Sequence, residues 1–127
     1  MRSVLPICLA LLLAACDGRW STLEVVDGDT LRLDGRTLQL RGVQAPEMNS
    51  LAACEQEMVL ASAAYRHLYA YVQKGIRVEP VAVLGPTDGF LVDLYLADGT
   101  SVTAQLLESG LVVAWNGQKH DWCAPSS

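Results

Sequence analysis

Residues 23–47 read LEVVDGDTLRLDGRTLQLRGVQAPE. Leu31 and Leu33 alternate with Thr30 and Arg32, and Leu38 and Leu40 alternate with Gln39 and Arg41. A period of two marks strands with one apolar face. Asp34-Gly35 lies between the two runs, and Asp-Gly is the turn dipeptide that suits a two-residue hairpin. Such a turn pairs Leu31 with Leu38. The same register sends Asp29 toward the apolar side, so a bend or bulge is expected near Gly28. The second strand then breaks at Gly42 and runs out through Pro46 to Glu47, with neutral amides at Gln39 and Gln44.

Further along, the period lengthens. Between about Asn49 and Lys74, Met58, Ala61, Tyr65, Leu68 and Val72 fall at helical spacing, with Asn49 or Ser50 as caps and Gly75 as the stop. IRVEPVAVL (76–84) and FLVDLYL (90–96) read as strands around a Gly85–Gly89 loop. Asp98-Gly99 turns the chain into a short helix, Val102 to Ser109, ended by Gly110. LVVAW (111–115) reads as a last strand, and the tail after it as irregular. Short antiparallel strands with one long helix interposed imply a β-rich α+β fold. The economical arrangement is an OB-fold five-stranded barrel with a long and a short helix packed against it.

At the front of the chain, Arg2 precedes the apolar run PICLALLL, which is too short to span a bilayer. Leu13-Ala14-Ala15-Cys16 resembles the lipobox of bacterial lipoproteins, where the cysteine is lipidated. The alternative is an ordinary signal peptide cut near Ala15. The lipoprotein reading makes residues 1–15 a leader and 16–22 a lipidated tether. It places the protein in the bacterial cell envelope, anchored to a membrane through Cys16. Asp17 points to the inner membrane, facing the periplasm. Removing the leader leaves 112 of the 127 residues, one domain's worth. It also leaves eight Lys and Arg against 14 Asp and Glu, a net charge of −6. A domain this acidic must concentrate its few cations if it is to bind nucleic acid. Of the four cysteines, Cys54 and Cys123 remain once Cys8 and Cys16 are set aside. An exported setting favours a disulfide between them, the other reading being two free thiols.

Taken in order, VVDGDTLRL, a hairpin, LQLRGVQAPE, a helix, a strand pair, an Asp-Gly turn, SVTAQLLESGL and a closing Trp-Cys resemble the staphylococcal nuclease (thermonuclease) family. The resemblance covers residues 23–123 and leaves 124–127 as a tail. It implies an OB barrel and, for an intact family member, Ca²⁺-dependent hydrolysis of DNA and RNA phosphodiesters. In that chemistry a hard cation and two arginines offset charge on the phosphate, while a glutamate orders or deprotonates the attacking water. By motif position Asp29 matches the first metal carboxylate, with Asp27 beside it. Glu47 matches the glutamate assigned to the water, and Ala45 the residue that ligates through its carbonyl.

The remaining positions depart from the pattern. Where the family reads Arg-Leu-x-Gly-Ile-Asp-x-Pro-Glu, this chain has Gln39 for the arginine and Gln44 for the aspartate. Where it reads Asp-x-Tyr-Gly-Arg, Phe90 stands in for the second arginine. Gln44 keeps an oxygen and loses a charge, so any Ca²⁺ site formed by Asp29, Gln44 and Ala45 is weakened. Losing one transition-state donor costs on the order of 10²–10³ in rate. Arg41, two residues from Gln39 and on the same strand face about 7 Å away, is the candidate replacement clamp. Its other reading is a solvated surface charge. Asp27 and Asp29 also suit a plain tight turn, and Glu47 a helix start. His67 and His120 have no nucleophile at useful spacing. Trp115, Trp122 and Tyr95 read as packing residues before stacking platforms.

The resemblance therefore implies a monomeric barrel that has kept its architecture and lost its active site, acting as a binding or envelope-associated module with an envelope protein or a cleft ligand as partner. The alternative is a metal-dependent nuclease that uses Arg41 and Gln44 as substitutes.

Overall fold

A computed structural model describes residues 22–86 and 88–125. The leader, Cys16, Asp17 and the tether as far as residue 21 lie outside them. Five strands form one sheet: β1 (Leu23–Asp27), β2 (Thr30–Leu33), β3 (Arg36–Leu40), β5 (Ile76–Gly85) and β6 (Gly89–Leu96). The order is β1-β2-β3-β6-β5, with β3 and β6 parallel and the other pairs antiparallel. The outer strands β1 and β5 do not bond to each other, so the sheet is open. A separate two-stranded piece joins β4 (Val43–Gln44) to β7 (Val113–Ala114). With helices α1 (Glu55–Lys74) and α2 (Val102–Glu108), the class is α+β, as expected.

The hairpin follows its sequence. Leu31 pairs with Leu38, and both are buried. Asp34 and Gly35 both take positive φ, 51° and 84°, as a twisted two-residue turn requires. The register shift between Val25 and Asp27 is the irregularity expected near Gly28. Gly28 is needed there because a Cβ would come within 2.5 Å of the Ala64 Cβ and 3.0 Å of the Ala45 Cβ. The β1–β2 turn thus presses at once on α1 and on the loop after β3.

The core lies between the sheet and the two helices, with Leu31, Leu40, Leu68, Val92, Leu94, Val102 and Leu106 at its centre.

The long helix departs from expectation at its front. Asn49–Leu51 form a separate 3₁₀ turn, and α1 begins at Glu55 with Cys54 as its N-cap. Cys54 is bonded to Cys123, which fixes the entry point of the helix. In the chain-entropy picture a loop of 69 residues stabilises by roughly 4 kcal/mol. Rotating the start moves the buried stripe to Glu57, Ala61, Ala64 and Leu68, and leaves Met58 44% exposed. At the other end of the chain, 111–115 contribute only the two-residue β7.

Glu57, a carboxylate 1% exposed, holds this region together. Its Oε2 accepts from the Glu47 N–H at 2.8 Å and its Oε1 from the Ala53 N–H at 2.9 Å. One side chain thereby ties the loop after β4 to the helix start. Burial alone pushes the Glu57 carboxyl up. The Ala53 and Glu47 N–H groups, with the positive charge of Lys119, outweigh it and hold the group below its ordinary value. A lowered folded-state pKa stabilises above the unfolded value and loses that contribution as pH falls through the folded one. Glu57→Gln replaces one acceptor by an NH₂ facing an N–H. It should cost on the order of 2 kcal/mol at pH 7, with the gap to the unmutated protein narrowing below pH 4, as read by thermal denaturation at both pH values.

Candidate functional site

The turn after β1, the strand β3, the loop through β4 and the C-terminal tail meet around a cleft of about 540 Å³. Its polar lining is Asp27, Asp29, Thr30, Gln39, Gln44, Glu47 and Lys119, with Leu40, Leu91 and Trp115 among its apolar members. Asp29, Gln44, Ala45 and Glu47 are thus gathered into one place. Arg41 is elsewhere. It makes a two-pronged contact with Asp93, Nε to Oδ1 at 3.2 Å and Nη2 to Oδ2 at 2.7 Å, outside the cleft lining. Phe90 does not line the cleft either; it packs against the core, with the Arg36 guanidinium 5.9 Å from its ring centre.

Within the cleft nearly every polar group has a protein partner. Asp29 accepts from the Thr30 hydroxyl at 2.7 Å through Oδ1 and from the Ala45 N–H at 2.8 Å through Oδ2. Its own N–H donates to Asp27 Oδ1 at 3.0 Å. Gln39 donates through Nε2 to the Asp29 carbonyl at 3.3 Å, across the β2–β3 ladder. An amide fits this position because it reaches a backbone carbonyl without bringing a charge.

Gln44 has the more decisive role. Its Nε2 donates to the Gln118 carbonyl at 2.9 Å, and its Oε1 accepts from the His120 N–H at 2.9 Å. The tail needs one donor and one acceptor, which a carboxylate cannot supply. The neutral side chain at this position is therefore a clamp on residues 118–120. Alongside it, Trp115 N–H donates to the Gly42 carbonyl, and Gln56 Nε2 donates to the Trp122 carbonyl. Trp122 is buried with His120 edge-on to it, and Trp115 is 54% exposed at the cleft rim.

The docked tail delivers a residue the sequence did not single out. Lys119 lines the cleft, its Nζ 3.9 Å from Glu47 Oε2. It is the cation of the lining, set against three carboxylates. Nothing in its local sequence distinguishes it; only the return of the tail places it there. Glu57 did carry a signal, since Cys54-x-x-Glu57 has the spacing of a capping box.

A family member's Ca²⁺ would need six to eight oxygen ligands. Among the described residues no three His, Cys, Asp or Glu side chains gather closely enough to hold a metal ion. Asp29 already accepts two hydrogen bonds and Gln44 is turned to the tail. Burial pushes the Asp27 carboxyl up to about 7, helped by its hydrogen bond and charge repulsion with Asp29 and only partly opposed by the Asp29 N–H. Compared with known proteins, the chain matches no protein-family model and no curated protein.

The sign of the Asp27 effect is testable. Between the unfolded carboxylate value and about 7 the folded chain keeps a proton that the unfolded chain releases, so stability falls as pH rises across that interval. Asp27→Asn keeps the Oδ1 acceptor and removes the charge. It should raise the melting temperature by several degrees at pH 8 and change it little at pH 4, measured by calorimetry.

Proposed function

We propose that this chain is an exported, lipid-anchored domain of the thermonuclease type, with an OB-like arrangement of strands, whose cleft has exchanged hydrolytic chemistry for a structural and binding role. Passing over the short β4, the order β1-β2-β3-β6-β5, with its single parallel pair, supports the OB reading. One observation carries the functional reading: the amide of Gln44, in the place of a metal carboxylate, is bonded through both its nitrogen and its oxygen to the backbone of residues 118 and 120.

The electrostatics agree. Stabilising a phosphoryl transition state requires positive groups aimed at its oxygens. The cleft lining holds Asp27, Asp29, Glu47 and a single lysine that leans on Glu47. The nearest strand arginine, Arg41, is held by Asp93. Glu47 sits where it could order water, with its backbone held by Glu57, but no cationic pair stands opposite it. The protein is accordingly a binding module in the cell envelope, tethered through Cys16, with an envelope protein or a small ligand of the cleft as partner. The second reading, a working metal-dependent nuclease, draws on the gathering of Asp29, Ala45 and Glu47 in one cleft.

The two readings part in a direct assay. Residues 17–127, incubated with single-stranded DNA and millimolar Ca²⁺, should leave the strand intact. Cleavage abolished by both Asp29→Ala and Glu47→Ala would establish the nuclease instead. Gln44→Asp alone should free the tail, read as faster proteolysis after residue 115, because the donor to Gln118 is gone. Phe90→Arg should destabilise the fold, since Phe90 packs on the core. Restoring Gln39→Arg with Gln44→Asp is therefore the gentler route to regaining cleavage.

A further inference from the structure

The β5–β6 hairpin carries the densest exposed apolar patch of the described sheet. From Glu79 to Leu84 every residue of β5 is exposed. Val81 is 41%, Val83 67% and Leu84 42% exposed. Clustered on one strand, such side chains are the kind of surface that marks a contact with a protein or a membrane. An outer strand with free backbone groups would ordinarily invite pairing with another strand. Here the strand is blunted against it. Pro80 has no N–H to offer, and the register slips between Pro80 and Ala82 and again between Val83 and Gly85. The side chains are presented while the ladder is spoiled, which suits a fluid apolar phase better than a second strand.

The position of the patch names that phase. Gly85 pairs with Gly89 at the hairpin tip, and a Cβ on Gly89 would strike the Thr37 carbonyl at 1.9 Å. The tip therefore lies against the start of β3, where Arg36 covers the Phe90 ring. The β2–β3 turn is at this same end, and Asp34 of that turn is bonded both ways to Thr22, N–H to carbonyl at 3.2 Å and Oδ1 to N–H at 3.1 Å. So the chain enters the fold at the end of the sheet that displays the apolar tip. Cys16 is six residues before Thr22. Six extended residues reach about 20 Å at most. A lipid on Cys16 would hold this end of the sheet close to the bilayer.

We propose that the β5–β6 hairpin is a second membrane contact, with Val81, Val83 and Leu84 entering the lipid headgroup–acyl boundary and orienting the cleft on the tethered domain. The proposal rests on the lipid-anchor reading for its setting. A tether holds the domain near the bilayer without fixing its orientation, and an apolar tip entering the interface supplies that orientation. Asp34, Asp88 and Arg36 share this end, so the attraction is apolar and needs no anionic lipid.

The experiment replaces the native anchor, so that the two readings fail separately. Residues 17–127 with an N-terminal hexahistidine tag are tethered to phosphatidylcholine vesicles containing a nickel-chelating lipid, and amide hydrogen exchange is compared with the untethered protein. Exchange over residues 79–86 should slow at least tenfold on tethering, with the first turns of α1 unchanged. Val83→Asp with Leu84→Asp should remove the effect, and Val59→Asp, on exposed α1 surface, should not. Unchanged exchange over 79–86 in the tethered protein overturns the proposal. So does equal slowing without vesicles at high protein concentration accompanied by a dimer in light scattering, which would assign the patch to a second copy. Palmitate labelling of the full chain, lost in Cys16→Ser, tests the anchor on its own; absent label with slowed exchange would leave the hairpin contact standing and remove the anchor.

Discussion

A buried carboxylate, Asp29, is the constraint around which this fold is arranged. A bare charge taken out of water costs several kcal/mol unless hydrogen bonds replace the lost solvation. Here the Thr30 hydroxyl and the Ala45 N–H do so. The first lies on β2 and the second on the loop after β3, so satisfying one side chain joins the hairpin to the loop that shapes the cleft. Gly28 lets that junction approach Ala64 on α1, where no Cβ would fit. Both carboxylate oxygens of the residue are thus engaged in structure. Asp27, on the other side of the turn glycine, feels the consequence: burial, with the Asp29 carboxyl beside it, favours its protonated form.

A second junction, built on Glu57, Gln44 and the disulfide, converts a loose C-terminal tail into one wall of the cleft. Glu57 and Cys54 set the helix start, Cys123 returns the chain to it, and Gln44 bonds the backbone on the way. The wall brings Lys119 to Glu47 and Trp115 to the rim. The proposed loss of hydrolysis and the gain of this wall are two sides of one exchange at position 44. A carboxylate there would have served a cation and repelled the Gln118 carbonyl; the amide serves the tail.

The hairpin, the bulge near Gly28, the α+β class and the Cys54–Cys123 bond were all legible in the residues, since each depends on near neighbours or on a short list of available partners. Asp29 was expected on the apolar side from register alone, and it is there. Arg41 shows the limit of the same reasoning. Period two puts it on the face of Gln39, yet Asp93, from a strand more than fifty residues away, draws it off the cleft. Met58 illustrates a related limit. It matched the helical period, but the disulfide moved the N-cap to Cys54 and turned the buried face toward Ala61 and Ala64.

What the sequence alone determined is therefore local: where strands turn, which faces are apolar, which cysteines can pair, and which polar residues crowd the end of β3. Those follow from backbone sterics and from side-chain periods of two and 3.6, which act over a few residues. Tertiary structure decided the rest: that Gln44 is a clamp, that Glu57 is a buried anchor, that Lys119 enters the cleft, and that an apolar hairpin tip lies at the same end of the sheet as the point where the chain enters it. Each of these is a hydrogen bond, charge contact or juxtaposition between segments tens of residues apart. Such pairings depend on how the whole core closes, and no short window of residues contains that information.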